Sequence, residues 1–272
     1  MIYIFAIFVL VFGIIIGSFL NVVVLRYKTG RTVGGRSFCF SCGKTLKVLE
    51  LVPVLSFLIQ KGRCKSCKSP ISWQYILVEM TTGIVFLIVY FKTISQFPFI
   101  NILELPFYFF IFSLLIVISV YDIRHKVVPD LVAFIFALSG LLWMLLTHSI
   151  TYFGTLLGFL NLFAGVILFV PFFLLWFFSK GRWMGLGDGK LAIGIGFLLG
   201  LSKGVSAIIL GFWIAAGVSL IIIGLQRFVK LKIPFLKMKS EMPFAPFLVI
   251  GTLIAFYYSP DLLSLNILLF GM

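Results

Sequence analysis

The sequence predicts an all-α polytopic membrane protein with about eight transmembrane helices and one cytoplasmic, zinc-ribbon-like loop. Three observations predict it. The 272 residues are 62% hydrophobic and 11% charged, with a mean hydropathy of +1.21, whereas a soluble domain carries about 45–50% apolar and about 25% charged residues. Apolar runs recur at the length of about 20 residues that a spanning helix needs. The net charge of +14 is confined largely to the segments between those runs.

The first run, "MIYIFAIFVLVFGIIIGSFLNVVVL", has no basic start and no small-residue cleavage site before its polar end. It reads as a retained span at 2–25 and not as a signal peptide. A hydrophilic loop follows over 26–72. Further spans are expected near 73–92, 98–121, 129–147, 152–178, 189–201, 204–225 and 243–258, so residues 73–272 form the bundle. Lysine and arginine number ten in 26–72, two in 124–126, three in 179–190 and five in 227–239; only Lys92 and Lys203 fall elsewhere. With eight spans and the N-terminus outside, these segments share one face, which the positive-inside rule makes cytoplasmic. Orientation and contact with anionic lipid absorb the charge excess, and no nucleic-acid partner is expected.

The loop holds all four cysteines, Cys39 and Cys42 in "CFSC" and Cys64 and Cys67 in "CKSC", with 21 residues between the pairs. This approaches the C-x2-C-x15–20-C-x2-C spacing of zinc ribbons. Two knuckles deliver four thiolates at tetrahedral geometry, with Gly43 and Lys65 expected at turn positions. A reducing cytoplasm disfavours disulfides. Lys44, Arg63 and Lys65 are expected to help keep the thiolates ionised. Four ligands leave no open position, so the zinc is expected to be structural; redox thiols are the competing reading. The insert "VLELVPVLSFLI" at 48–59 is too short to span and is expected at the interface or against the bundle.

The eight acids sort by location. Glu104 and Asp261 fall near the outer face, and Glu241 follows a lysine-rich run. Glu50 is the only acid of the loop. Glu79 lies inside the second span, where a buried acid is by default a functional candidate, but near enough its cytoplasmic end to reach headgroups or Arg26, and the two readings stand even. Asp122, Asp130 and Asp188 share a depth at the cytoplasmic ends of spans. Asp130 starts a helix, where capping suffices to explain it. Asp122 ends one, where a negative charge is repelled, whereas Asp188 begins one, where it is favoured. Two such carboxylates suit an acid–base pair sharing a proton. The competing reading leaves all three as interfacial acids screened by Lys126, Arg182 and Lys190. Gly185, Gly187 and Gly189 clear side chains from around Asp188 and suggest irregular backbone that an extended peptide could approach.

"GSFLNVVVLR" (17–26), "VPVLSFLIQKGRCKSCKSPISWQYILVEMTTG" (52–83), "DIRHKVVPD" (122–130), "GLGD" (185–188) and "MPFAPFL" (242–248) together resemble the bacterial type IV prepilin peptidases, G-x-G-D aspartyl proteases of the membrane. G-x-G-D alone is a weak signal; the combination is highly specific and covers nearly the whole chain. The resemblance implies Asp122 and Asp188 as the catalytic pair, with Asp130 a motif position outside it. It implies a type IV prepilin or pseudopilin substrate in the bacterial cytoplasmic membrane. It also implies a second activity, N-methylation of the new N-terminus with S-adenosylmethionine as donor. Ala245 departs from the "PFGP" of many members, and Glu50 lacks the asparagine often seen beside it. Glu50 is the methyl-transfer candidate of the loop, against the plainer expectation that it pairs with one of the loop's basic residues. The rival from another class is a non-enzymatic scaffold whose zinc ribbon docks a cytoplasmic partner.

Overall fold

The computed structural model describes residues 2–30, 32–96, 103–229, 242–259 and 262. Helices dominate: α1 (Ile2–Arg26), α2 (Leu55–Ile59), α3 (Gln74–Gln96), α4 (Glu104–His125), α5 (Asp130–Thr147), α6 (Ile150–Phe153), α7 (Leu156–Leu162), α8 (Ala164–Ser179), α9 (Leu186–Val229) and α10 (Ala245–Tyr258). Among the described residues β pairing is limited to two isolated bridges, Phe38 with Thr45 and Arg63 with Pro70. The chain divides into two compact units, residues 1–117 and 118–272, with the boundary inside α4.

Five helices are long and apolar enough to cross a membrane: α1, α3, α4, α5 and α9. A sixth span results if α7 and α8, bent by 51° at their junction, count as one. Eight spans were expected, and that number is not confirmed among the described residues. The expected spans 189–201 and 204–225 both fall within α9, which is two helices joined across a kink at Gly200 (φ 76°, ψ −178°), a conformation essentially reserved for glycine. The break frees the Leu201 N–H, which donates to Asn161 Oδ1 at 2.9 Å. The expected span at 243–258 shrinks to the 14-residue α10. Glu241, Asp261, residues 98–102 and the lysines of 230–239 lie outside the described residues.

In the first unit α1 packs on α3 through small residues. A Cβ on Gly13 would sit 2.8 Å from Gly83 Cα, and one on Gly17 would sit 2.8 Å from Glu79 Cα. This is the small-xxx-small approach by which helices associate where lipid removes the hydrophobic driving force. Phe86 and Phe109 stack 4.2 Å apart beside that seam. Ile4, Phe5, Phe8 and Phe19 remain exposed, the side a bilayer would cover. In the second unit α9 is the central helix, contacted by α5, α8 and α10. Gly196 fits against the backbone of Ala164 and Gly165, and Gly211 against Leu248.

Candidate active site and metal centre

In the second unit Asp122 sits on the last turn of α4 and is buried. The sequence leaves it as a carboxylate at an unfavourable helix end; the fold corrects that reading. Its Oδ2 accepts the Ala245 N–H at 3.1 Å. Ala245 opens α10, so a second helix supplies the unsatisfied N–H and the positive dipole end that α4 denies. Asp188 lies in the first turn of α9, half-buried, and is close enough to Asp122 for Coulombic repulsion between the two carboxylates.

Asp130 departs from expectation. It is the first residue of α5, the N-cap is Pro129, and no side chain caps the helix. The Asp130 carboxylate instead accepts from Lys190 Nζ at 2.6 Å, an exposed ion pair linking the starts of α5 and α9. The glycines depart as well. Gly187 and Gly189 are part of α9, and none of Gly185, Gly187 and Gly189 has a positive φ. What Gly187 and Gly189 provide is space: a Cβ at Gly187 would lie 2.8 Å from Val128 Cβ, and one at Gly189 3.0 Å from the Phe169 ring. Gly185 has only the Gly187 nitrogen, at 4.0 Å, near its missing side chain and lies open. The strings 122–130 and 185–190 are thus brought together by one tight contact, one ion pair and two acids within electrostatic range of each other.

In the first unit the four cysteines converge, with all four Sγ within 4.8 Å of one another. The knuckles are copies. The Cys39 N–H donates to Lys44 O and the Gly43 N–H to Cys39 O; the Cys64 N–H donates to Ser69 O and the Lys68 N–H to Cys64 O. The positive-φ positions are therefore Gly43 and Lys68, one residue after each pair, and not Lys65. Cys39 and Cys67 Sγ stand 3.8 Å apart. That is too far for a disulfide of about 2.05 Å, and it equals the edge, about 3.8 Å, of a tetrahedron with metal–sulfur bonds of about 2.3 Å.

Backbone N–H groups of Cys42 and Ser41 and the Ser69 hydroxyl hold the Cys39 thiol down to about 6. The Lys44 N–H favours the Cys42 thiolate, but burial and the neighbouring Cys67 and Cys39 sulfurs outweigh it and push Cys42 up to about 11. Four thiolates in one cluster need a cation, and zinc fits this donor set. The expected lysine support is not what stabilises the sulfurs: Lys44 Nζ bonds Ser66 Oγ at 2.7 Å and pairs with Glu50 at 3.6 Å.

Glu50 is accordingly occupied. It accepts the Lys47 N–H at 2.8 Å and faces Lys44, and these hold its carboxyl below the usual range. Glu79 does not pair with Arg26. It is 5% exposed and accepts the Val54 N–H at 2.7 Å, with the Ser18 hydroxyl as a second partner. Arg26 instead binds the carbonyls of Thr32, Val33, Gly34 and Arg36. Sequence reasoning passed over Asn21, which is 1% exposed on α1. Its amide donates to Gly17 O and Tyr75 O, and its Oδ1 has no partner among the described residues. A single amide amid aliphatic residues of a span was the available signal.

Comparison with known proteins matches residues 11–93 to the bacterial peptidase A24 N-terminal domain and residues 109–221 to the type IV leader peptidase family. The first stretch contains Asn21, Glu50, Glu79 and the four cysteines; the second contains Asp122, Asp130 and Asp188. The prepilin leader peptidase/N-methyltransferase of Bacillus subtilis is 32% identical over 94% of this chain and 96% of its own. Proteins of the same name from Vibrio cholerae and Pseudomonas putida are 27% and 26% identical, over 73% and 96% of this chain and 79% and 93% of theirs. No solved structure matches. With two adjoining family matches and a 32% identical relative aligned over nearly its full length, the chain belongs to the type IV leader peptidase family.

Proposed function

We propose that the protein cleaves the leader peptide from type IV prepilins or pseudopilins and methylates the new N-terminal residue. The observation that carries the peptidase half is that the last turn of α4 and the first turn of α9 bring Asp122 and Asp188 within electrostatic range of each other. Two carboxylates this close hold one proton between them. One, as base, takes a proton from water as it attacks the scissile carbonyl; the other, as acid, protonates the leaving amine. The Ala245 N–H holds Asp122 Oδ2 in place. Neither a covalent intermediate nor a catalytic metal is required. Gly185, with open space beside it, leaves room for an extended substrate backbone at Asp188.

In this reading the protein is a multi-pass protein of the inner membrane, with residues 1–25 as the first span and 73–272 as the peptidase bundle. The basic segments face the cytoplasm and touch anionic lipid, and nucleic acid has no part. Residues 26–72 form the loop of the methyl-transfer half, in which Cys39, Cys42, Cys64 and Cys67 bind a structural zinc and to which the flanking α1 and α3 add side chains. S-adenosylmethionine supplies the methyl group. Methyl transfer needs a neutral amine and a bound sulfonium, which a water-activating aspartate pair does not offer, so the two reactions use separate sites.

The test is to incubate membranes containing the protein with a prepilin and S-adenosylmethionine and weigh the product. Loss of the leader plus the mass of one methyl group is expected. An unshortened prepilin would overturn the reading in favour of the non-enzymatic scaffold.

A further inference from the structure

From the buried polar seam between α1 and α3 we infer that Asn21 and Glu79 receive the N-terminal amine of the cleaved pilin, and that Glu79 takes its proton. This rests on the methyl-transfer half of the proposed function and names a site for it. Gly17 and Asn21 lie one turn apart on α1, and Tyr75 and Glu79 one turn apart on α3. Asn21 Nδ2 bonds Tyr75 O at 3.1 Å, and Gly17 packs on Glu79 Cα. Residues four apart share a helix face, so the orphaned Asn21 Oδ1 and the Glu79 carboxyl belong to one stretch of seam.

Both groups are acceptors, and both are more than nine-tenths buried. A buried acceptor without a donor is costly, as is an acid in a span without a cation. Neither ion pair among the described residues involves Glu79. Its carboxylate has about four lone-pair sites, and the Val54 N–H and Ser18 hydroxyl take two. A primary ammonium, with three N–H donors and a positive charge, supplies what the seam lacks. Glu50 offers no such place, because Lys44 already occupies it.

Above the seam, Val54 is held at φ 61°, ψ −53°, a costly conformation for a β-branched residue. Its N–H is the one bonded to Glu79. Strain held by a buried acid marks a place that is over-determined by its surroundings. Beyond Val54, α2 buries Phe57 and exposes Leu55, Leu58 and Ile59.

The chemistry balances. An N–H bond of the ammonium breaks as a Glu79 O–H bond forms, leaving the nitrogen lone pair free. That pair forms the N–C bond to the sulfonium's methyl carbon as the C–S bond breaks, and its electrons stay on sulfur. The product is a methylated ammonium and a neutral thioether.

The protein in nanodiscs is given a pilin already cut, with its amine free or Nα-acetylated. Glu79→Gln keeps an oxygen for the Val54 N–H but can neither hold an ammonium nor take its proton. It is expected to methylate the cut pilin about 100-fold more slowly and still cleave prepilin. Without any methyl donor, the unaltered protein is expected to bind the free-amine pilin about tenfold more tightly than the acetylated one. Glu79→Gln and Asn21→Leu should each lose that preference. Methylation by Glu79→Gln within about threefold of the unaltered protein, a preference that survives both substitutions, or loss of cleavage together with methylation would each overturn the inference. If the unaltered protein leaves the cut pilin unmethylated, the methyl-transfer function falls and the inference falls with it. That failure differs visibly from an active Glu79→Gln variant.

Discussion

Replacing Gly187 with alanine tests whether the G-x-G-D segment is built for close packing. The new Cβ would stand 2.8 Å from Val128 Cβ and 3.0 Å from its Cγ2, where carbon atoms ordinarily keep about 3.5–4.0 Å. Val128 is 6% exposed and has little room to retreat, so the loop 126–129 and the first turn of α9 must part by about 0.7 Å or more. Such overpacking costs about 1–3 kcal/mol. The higher helix propensity of alanine returns up to about 1 kcal/mol, so the fold should survive. The damage falls on alignment, because Asp122 and Asp188 flank this contact. A misplacement of about 1 Å costs about 100-fold in rate, or about 2.7 kcal/mol of barrier. The assay is single-turnover conversion of prepilin in nanodiscs. Gly217→Ala, on the same helix with nothing within 4 Å of the added carbon, should match the unaltered protein. Removing the obstructing carbon with Val128→Gly should restore much of the activity lost in Gly187→Ala. Full activity in Gly187→Ala alone, or no recovery in the double variant, would refute the packing argument.

Other consequences are measurable. Metal analysis should find one zinc per chain, and replacing any of Cys39, Cys42, Cys64 or Cys67 with serine should release it without removing cleavage. With Cys42 pushed up to about 11, zinc loading at neutral pH must expel a thiol proton. Loading should therefore weaken as the pH falls, and a chelator competition giving the same affinity at low and neutral pH would contradict it. Asp130→Asn removes an exposed pair with Lys190, worth at most about 1 kcal/mol, so cleavage should stay within a few-fold of normal; its abolition would give Asp130 a direct role. Glu50→Gln keeps an acceptor for the Lys47 N–H and should leave methylation nearly intact, and a selective loss would return methyl transfer to Glu50.

What could be read from the sequence was whatever local spacing decides. The apolar runs located the helices, and the paired C-x-x-C strings located the thiol cluster, because each knuckle closes within six residues, as from Cys39 to Lys44. Motif resemblance singled out Asp122 and Asp188. Tertiary partners stayed hidden. Asp122 looked unsupported because its donor, the Ala245 N–H, comes from 123 residues away. Asp130 looked like a cap because Lys190, 60 residues on, is invisible to helix-start rules. Periodicity could not show how the kink at Gly200 is satisfied, since the Asn161 side chain that takes the freed Leu201 N–H belongs to α7. Glu79 was divided evenly between a functional role and contact with headgroups or Arg26; only the fold reveals that it binds the Val54 backbone and shares a seam with the Asn21 amide.

The central claim is that Asp122 and Asp188 are the peptidase's acid–base pair, and the direct measurement is prepilin cleavage by Asp122→Asn and Asp188→Asn, each purified into nanodiscs. A carboxamide can neither accept the water proton nor return one to the leaving amine. Both variants should fall to the uncatalysed background, while Asp188→Asn still methylates a pilin supplied already cut. Substantial cleavage by either variant would contradict the account.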